Sequence, residues 1–237
     1  MRMTIFIFIS IILFASILQT STGFGFSIMA TPFLLMIFNP MEAIQINLVL
    51  SLVISSALIA KIRKDVDTDL LKKLIIGSLS GLPIGIILFI SADINKLKTG
   101  IGIVLLLLTL LLVLNLRIKR TKRGDFVVGG LSGTLTTGIG MPGPPLLLYF
   151  AGTAMQKETL RATTLAFYLF IYSVSLLIQV LFVGTNKGIW TSIGMALPLV
   201  FVGLYLGQLL FRHISQKTFR IFTYGILLFT GVYLLIK

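Results

Sequence analysis

Residues 3–38 read MTIFIFISIILFASILQTSTGFGFSIMATPFLLMIF, 36 positions without a charged side chain. About 20 helical residues suffice to cross ~30 Å of hydrocarbon, so this stretch is too long for one span even when strongly tilted. It must be interrupted near its middle. Ser21-Thr22-Gly23-Phe24-Gly25 is the place, because glycine lets the backbone leave helical geometry.

The rest of the chain continues the theme. Of 237 residues, 57% are hydrophobic and 11% charged, and the mean hydropathy is +1.06. A soluble fold needs more polar surface than that. Further apolar runs occupy 43–60, 70–90, 99–116, 126–151, 160–183, 189–211 and 219–236. Lipid offers the backbone no hydrogen-bond partners, and a closed barrel would read as ~10-residue alternating segments, so the spans are helices. The fold expected is an all-α polytopic membrane protein. Residues 5–18 behind Arg2 have the outline of a signal peptide, but no small-x-small cleavage site closes them, and they are expected to stay in the mature protein.

The net charge of +13 raises the question of nucleic acid, and the placement of the charges answers it. They gather between the apolar runs, at Lys61, Arg63, Lys64, Lys72 and Lys73, and at Arg117, Lys119, Arg120, Lys122 and Arg123. Cytoplasmic loops of membrane proteins are marked in this way, and such loops also meet anionic lipid headgroups. No nucleic-acid partner is expected. With no cysteine and the single His213, thiolate and multi-histidine metal sites are excluded, and no metal or cofactor is expected.

The break near residue 23 has a counterpart. Thr22-Gly23-Phe24-Gly25-Phe26 and Pro32-Phe33-Leu34-Leu35 match Thr137-Gly138-Ile139-Gly140-Met141 and Pro145-Leu146-Leu147-Leu148. Downstream, Glu42, Gln45 and Asn47 match Glu158, Arg161 and Thr163. Gly81, Gly85 and Phe89 match Gly203, Gly207 and Phe211, and Leu97-Lys98 matches Phe219-Arg220. Ordered matches at nearly constant offset indicate a duplication: a first repeat at 1–116, a linker at 117–124 and a second repeat at 125–237. Each repeat is expected to be a broken or re-entrant helix pair followed by three transmembrane helices.

Charge also bears on how the halves are oriented. If each broken segment crosses once, the halves are parallel and 13 of the 20 Lys and Arg face the cytoplasm. If each enters and turns back, the halves are inverted and 15 do. Matched loops differ in the same sense: 39–45 carries no positive charge while its partner carries Lys157 and Arg161. Two inverted repeats are therefore expected.

Chemistry is expected at the breaks. Pro142, Pro144 and Pro145 cannot donate internal helix bonds, so 136–145 should be non-helical at membrane depth. A short apolar helix should follow each break, near Phe26 and Pro145, and its free amides and positive dipole end suit an anion. The substrate-binding candidates are Thr22, Gly23, Gly25 and Ser27 in the first break and Thr137, Gly138, Gly140 and Gly143 in the second. Gln45, Asn47, Arg161 and Thr163, just inside the following helices, complete the set. For Gln45 and Asn47 two readings stand, contact with solute or broken backbone, and interhelical hydrogen bonding. Arg161 either attracts an anion or extends to the cytoplasmic interface. Glu42 and Glu158 suit first helical turns, and a proton-coupling role is the other reading. The Gly81, Gly85, Gly203 and Gly207 faces allow close helix contact, with Pro83 and Pro198 as expected kinks.

The two glycine-proline breaks, Thr22-Gly23-x-Gly25 through Pro32-x-Leu34-Leu35 and Thr137-Gly138-x-Gly140 through Pro145-Leu146-Leu147, each at the head of half a chain, resemble the sulfite exporter TauE/SafE family. The resemblance runs over essentially the whole chain. It implies a secondary transporter of the cytoplasmic membrane, moving sulfite, sulfoacetate or related sulfur-containing or organic anions. Phe24, Phe26 and Ser27 stand where members often carry further glycines. A passive channel or a membrane-embedded enzyme are the alternatives. The enzyme lacks an evident nucleophile and base at depth, since the acids Glu42, Asp65, Asp67, Asp69, Asp93, Asp125 and Glu158 lie at span ends or in loops. No nucleotide-binding motif is present. Oligomeric state is not encoded legibly.

Overall fold

A computed structural model describes residues 2–91, 99, 100, 102, 103, 106, 107, 110, 114, 120–151, 153, 155–211, 228 and 232. The expected spans at 99–116 and 219–236, the Leu97-Lys98 and Phe219-Arg220 match, and His213 lie wholly or mainly outside the described residues.

The described chain forms α1 (Arg2–Thr22), α2 (Phe26–Ile37), α3 (Pro40–Ile62), α4 (Thr68–Ser91), α5 (Lys122–Ile139), α6 (Gly143–Ala151), α7 (Lys157–Val183) and α8 (Lys187–Leu210), with a 3-10 turn at Arg63–Asp65. No strand occurs among the described residues. Local chemistry explains the starts. Asn39 accepts a hydrogen bond from the Glu42 amide at 3.0 Å ahead of Pro40, Thr121 caps Gly124 at 2.9 Å, and Asn186 caps Ile189 at 2.9 Å. Thr121 therefore opens a helix whose first residues, 122–124, fall within the stretch read as linker. Pro83 and Pro198 lie within the continuous helices α4 and α8.

Four helices are long and apolar enough to cross a membrane, covering Pro40–Asp65, Thr68–Ser91, Lys157–Val183 and Lys187–Leu210. The distribution of side chains agrees with that reading. Ile76, Ile84, Ile87 and Leu88 of α4, Leu181 and Phe182 of α7, and Met195, Phe201 and Tyr205 of α8 are exposed. Gln19, Ser27, Asn47, Ser51, Thr164, Tyr168 and Gln179 are buried. An apolar exterior over a largely apolar interior that also encloses these polar groups suits lipid. The protein is an integral, multi-pass membrane protein.

The interrupted first segment breaks where expected: α1 ends at Thr22 and α2 begins at Phe26. The second break is shorter than 136–145. Helix α5 runs through Thr136, Thr137 and Gly138 to Ile139, and only residues 140–142 lie between it and α6. The prolines do not prevent this, because Pro144 and Pro145 occupy the first turn of α6, where no helix bond is required of their nitrogens.

Contacts between helices give their directions. A Cβ at Gly77 would collide with the Phe126 carbonyl, at Gly81 with that of Gly130, and at Gly85 with that of Thr134, so α4 and α5 run the same way in near backbone contact. A Cβ at Gly203 would strike Ser16, and at Gly207 would lie 2.5 Å from the Thr20 Cβ, so α8 and α1 also run together. Gln45 near the start of α3 binds Gly184 beyond the end of α7, and Thr163 near the start of α7 meets Asp67 beyond α3. Hence α3 and α7 are antiparallel. Asn186 with Glu42 and Gln208 with Lys61 place α8 alongside α3 in the same direction.

Candidate functional site

Each break is held by its own backbone chemistry. Gly23, Gly25 and Gly140 have φ of 81°, 112° and 72°, left-handed values that cost L side chains about 1–2 kcal/mol. The Gly23 amide donates to the Gln19 carbonyl at 2.9 Å, and the Phe24 amide to the Thr22 hydroxyl at 3.1 Å. That hydroxyl lies 2.7 Å from the carbonyls of both Leu18 and Phe24, either of which can take its proton. At the second break the Gly140 amide reaches the Thr136 carbonyl at 2.8 Å and the Met141 amide the Leu135 carbonyl at 3.1 Å, a tight helix ending. The Gly140 carbonyl, turned off the helix, accepts from the Asn47 side chain at 2.7 Å.

Beyond the first break, α2 starts uncapped. Its first turn closes with the Met29 amide on the Gly25 carbonyl at 2.9 Å, and Gly25 offers no side-chain cap, so the amides of the opening turn remain free. Ser27 sits in that turn, fully buried, and its hydroxyl makes no hydrogen bond of normal geometry. The start of α6 is its neighbour: a Cβ at Gly143 would lie 2.9 Å from the Tyr168 hydroxyl and 3.0 Å from Ile28 Cδ1. A side chain there would displace one of those two neighbours.

Helix α7 closes the space between the two helix starts. The rings of Tyr168 and Tyr172 lie 5.0 Å apart, and Phe24 meets Tyr168 edge-on at 6.3 Å. The Tyr172 hydroxyl faces Ser27 and, from α3, Ser51. All four hydroxyls, of Ser27, Ser51, Tyr168 and Tyr172, are buried without a hydrogen bond of normal geometry. Leaving a polar group in that condition costs about 1–3 kcal/mol each, so a cluster of such groups calls for an explanation, and a bound guest supplies one.

The expected site residues divide. Ser27, Gly143 and, through the Gly140 carbonyl, Asn47 come together between the helix starts. Gly23, Gly25 and Gly140 shape the breaks. Thr22 is occupied within the first break, and Thr137 meets the Gly133 carbonyl at 3.2 Å and Ser175 at 3.3 Å. Gly138 packs against Gly85 of α4. Gln45 holds the Gly184 carbonyl at 2.7 Å and Thr163 accepts from the Asp67 amide at 2.9 Å, so both fasten loops at the ends of the α3–α7 pair. Arg161 backs the first break, its Cα 3.0 Å from where a Gly23 Cβ would be. Its guanidinium lies 4.3 Å from the centre of the Phe211 ring, beside Lys157 at 5.0 Å, and the side chain is buried rather than extended to water. Ser51, Tyr168 and Tyr172 were not among the site residues expected. Their signal was available: Arg161, Thr164, Tyr168, Tyr172, Ser175 and Gln179 recur at spacings of three and four, a polar stripe down one face of α7.

A separate polar cluster lies at the other end of α6. The buried Asp125 accepts from the Tyr149 hydroxyl at 2.8 Å and pairs with Arg120 at 3.5 Å and Lys73 at 3.8 Å. Arg120 also reaches Asp67 at 3.1 Å. Burial would lower the Arg120 pKa, but the carboxylates of Asp125 and Asp67 outweigh it and raise it, so the guanidinium stays charged.

A family model, Sulfite exporter TauE/SafE, matches residues 8–234. The chain belongs to the sulfite exporter TauE/SafE family. No curated protein and no solved structure matches it. Membership in the TauE/SafE family makes the protein a membrane transporter of sulfur-containing anions and places its substrate among small anionic solutes. In this TauE/SafE protein the matched segment contains both breaks and the buried hydroxyls between them. Among the described residues, no group of three or more His, Cys, Asp or Glu could hold a metal ion.

Proposed function

We propose that the protein is a secondary transporter that carries sulfite, an organosulfonate or a related organic anion across the cytoplasmic membrane. One observation carries the reading: the buried hydroxyls of Ser27, Ser51, Tyr168 and Tyr172, none with a hydrogen bond of normal geometry, converge where α2 and α6 begin, beside the free amides of the α2 start. Such a setting offers hydrogen-bond donors and a positive dipole end to an anion. Asn47, Gly140 and Gly143 hold it in shape, Thr22 and Thr137 brace the helix ends, and Arg161 lies behind the first break. The binding groups are fully buried, which favours a carrier that encloses its guest over an open channel.

The architecture proposed is two inverted repeats, 1–116 and 125–237, joined by 117–124. Helix directions support it. Exchange of α1 with α5, α3 with α7 and α4 with α8 turns the α4–α5 contact into the α8–α1 contact and leaves the antiparallel α3–α7 pair unchanged. A two-fold axis perpendicular to α3 and α7 produces that pattern, and alternating access is then rocking of one repeat against the other.

Uptake and efflux of labelled sulfite and sulfoacetate by proteoliposomes, with and without a proton gradient, test the proposal. Saturable flux is expected. Flux that never saturates would indicate a channel, and no flux of either anion would refute the reading.

A further inference from the structure

The site just described surrounds its guest with neutral donors. Ser27, Ser51, Tyr168 and Tyr172 supply hydroxyls, and α2 and α6 contain no charged residue at all. On the two other lining helices, cations occur only at Lys61, Lys157 and Arg161. Lys61 is ten residues beyond Ser51, roughly 15 Å along α3, and contacts Gln208 at 3.4 Å. Arg161 is seven residues before Tyr168, roughly 10 Å along α7, and its guanidinium is stacked on Phe211. Among the described residues of these four helices, no charged side chain makes a hydrogen bond to the site hydroxyls, which leaves the helix starts. The α2 start presents about half an elementary charge, and the α6 start, where Pro144 and Pro145 carry no N–H, presents less, so the two together balance at most about one.

We propose that the site selects guests carrying a single negative charge and rejects divalent anions of the same size and shape. The inference rests on the anion-carrier reading above and adds the charge state of the substrate. Desolvating an ion costs more steeply than in proportion to its charge, and the second charge of a divalent anion finds no counterpart in a buried site lined by hydroxyls. Sulfite, which loses its last proton near neutral pH, would then be carried as the protonated monoanion, and a sulfonate would be carried at any pH. Hydroxyl donors suit the oxygens of either.

Methanesulfonate and sulfate separate charge from size, since both are tetrahedral and differ by one charge. Proteoliposomes of the full chain, at equal pH on both sides, are given labelled methanesulfonate, sulfate or sulfite across a range of pH. Methanesulfonate flux is expected to exceed sulfate flux by at least about tenfold and to be flat with pH, while sulfite flux falls as pH rises. Sulfate flux equal to that of methanesulfonate, or sulfite flux rising with pH, would overturn the charge selection while leaving the anion carrier standing. No flux of any of the three would overturn the carrier reading and this inference with it. Tyr168→Lys keeps the side-chain bulk and puts an ammonium beside Gly143. A folded variant should narrow the methanesulfonate-to-sulfate ratio, and an unchanged ratio would contradict the proposal. Should that variant not fold, the unmodified chain still decides.

Discussion

The Asn47 side-chain amide donates to the Gly140 carbonyl at 2.7 Å, so a helix of the first half fixes the break in the second. The reverse contact comes from Arg161, whose Cα packs against Gly23 at the first break. Each broken segment is thus contacted by a helix of the other half.

Asn47→Ala removes this brace and leaves the Gly140 carbonyl buried without a partner. We expect a loss of about 1–3 kcal/mol in stability, seen as a lower melting temperature in detergent, together with reduced flux. A variant as stable and active as the parent would show that the hydrogen bond is dispensable.

Tyr172→Phe and Ser27→Ala act in the opposite sense. Each deletes a buried hydroxyl that lacks a hydrogen bond of normal geometry, so stability should hold or rise, by up to about 1 kcal/mol, while the apparent KM for the transported anion increases. Thermal melts and flux measured on the same preparation separate these effects. A fall in stability with unchanged KM would make the hydroxyls structural.

These residues also show what the sequence makes legible. Both breaks can be read from glycine and proline in an overlong apolar run, because few other residues tolerate such backbone. The extent of the second break was overestimated, since a proline at a helix start looks like a helix breaker until the register is known. Gln45 and Asn47 read as a pair, yet two residues on a helix point about 200° apart, and only Asn47 reaches a break. The same rotation sends Thr163 to the Asp67 loop and Arg161 to Gly23. The polar stripe that carries Tyr168 and Tyr172 is visible on α7, but which helices face it is not a local pattern, and those partners make it a site.

Gly81→Ala and Gly203→Ala test the matched packing faces. The added methyl meets the Gly130 carbonyl in the first case and Ser16 in the second. Both should destabilise, by about 1–3 kcal/mol, and Gly81→Ala more, because backbone yields less readily than a side chain. Equal stability of both variants and the parent would deny the close approach of α4 to α5 and of α8 to α1.

The chain contains no cysteine, so introduced thiols are read against a blank background. Cysteines at Met41 and Met155, near the starts of α3 and α7, should be labelled from opposite sides of the membrane. Labelling from one side only would exclude inversion of the repeats.

The transported anion is expected between the starts of α2 and α6. Selenite has the shape and charge chemistry of sulfite and scatters anomalously, so a crystal of the protein soaked in selenite locates it directly. A selenium peak within hydrogen-bond reach of Ser27, Tyr168 and Tyr172 is the predicted result. A peak elsewhere, such as beside Arg161 and Phe211, with none between the two helix starts would contradict the account.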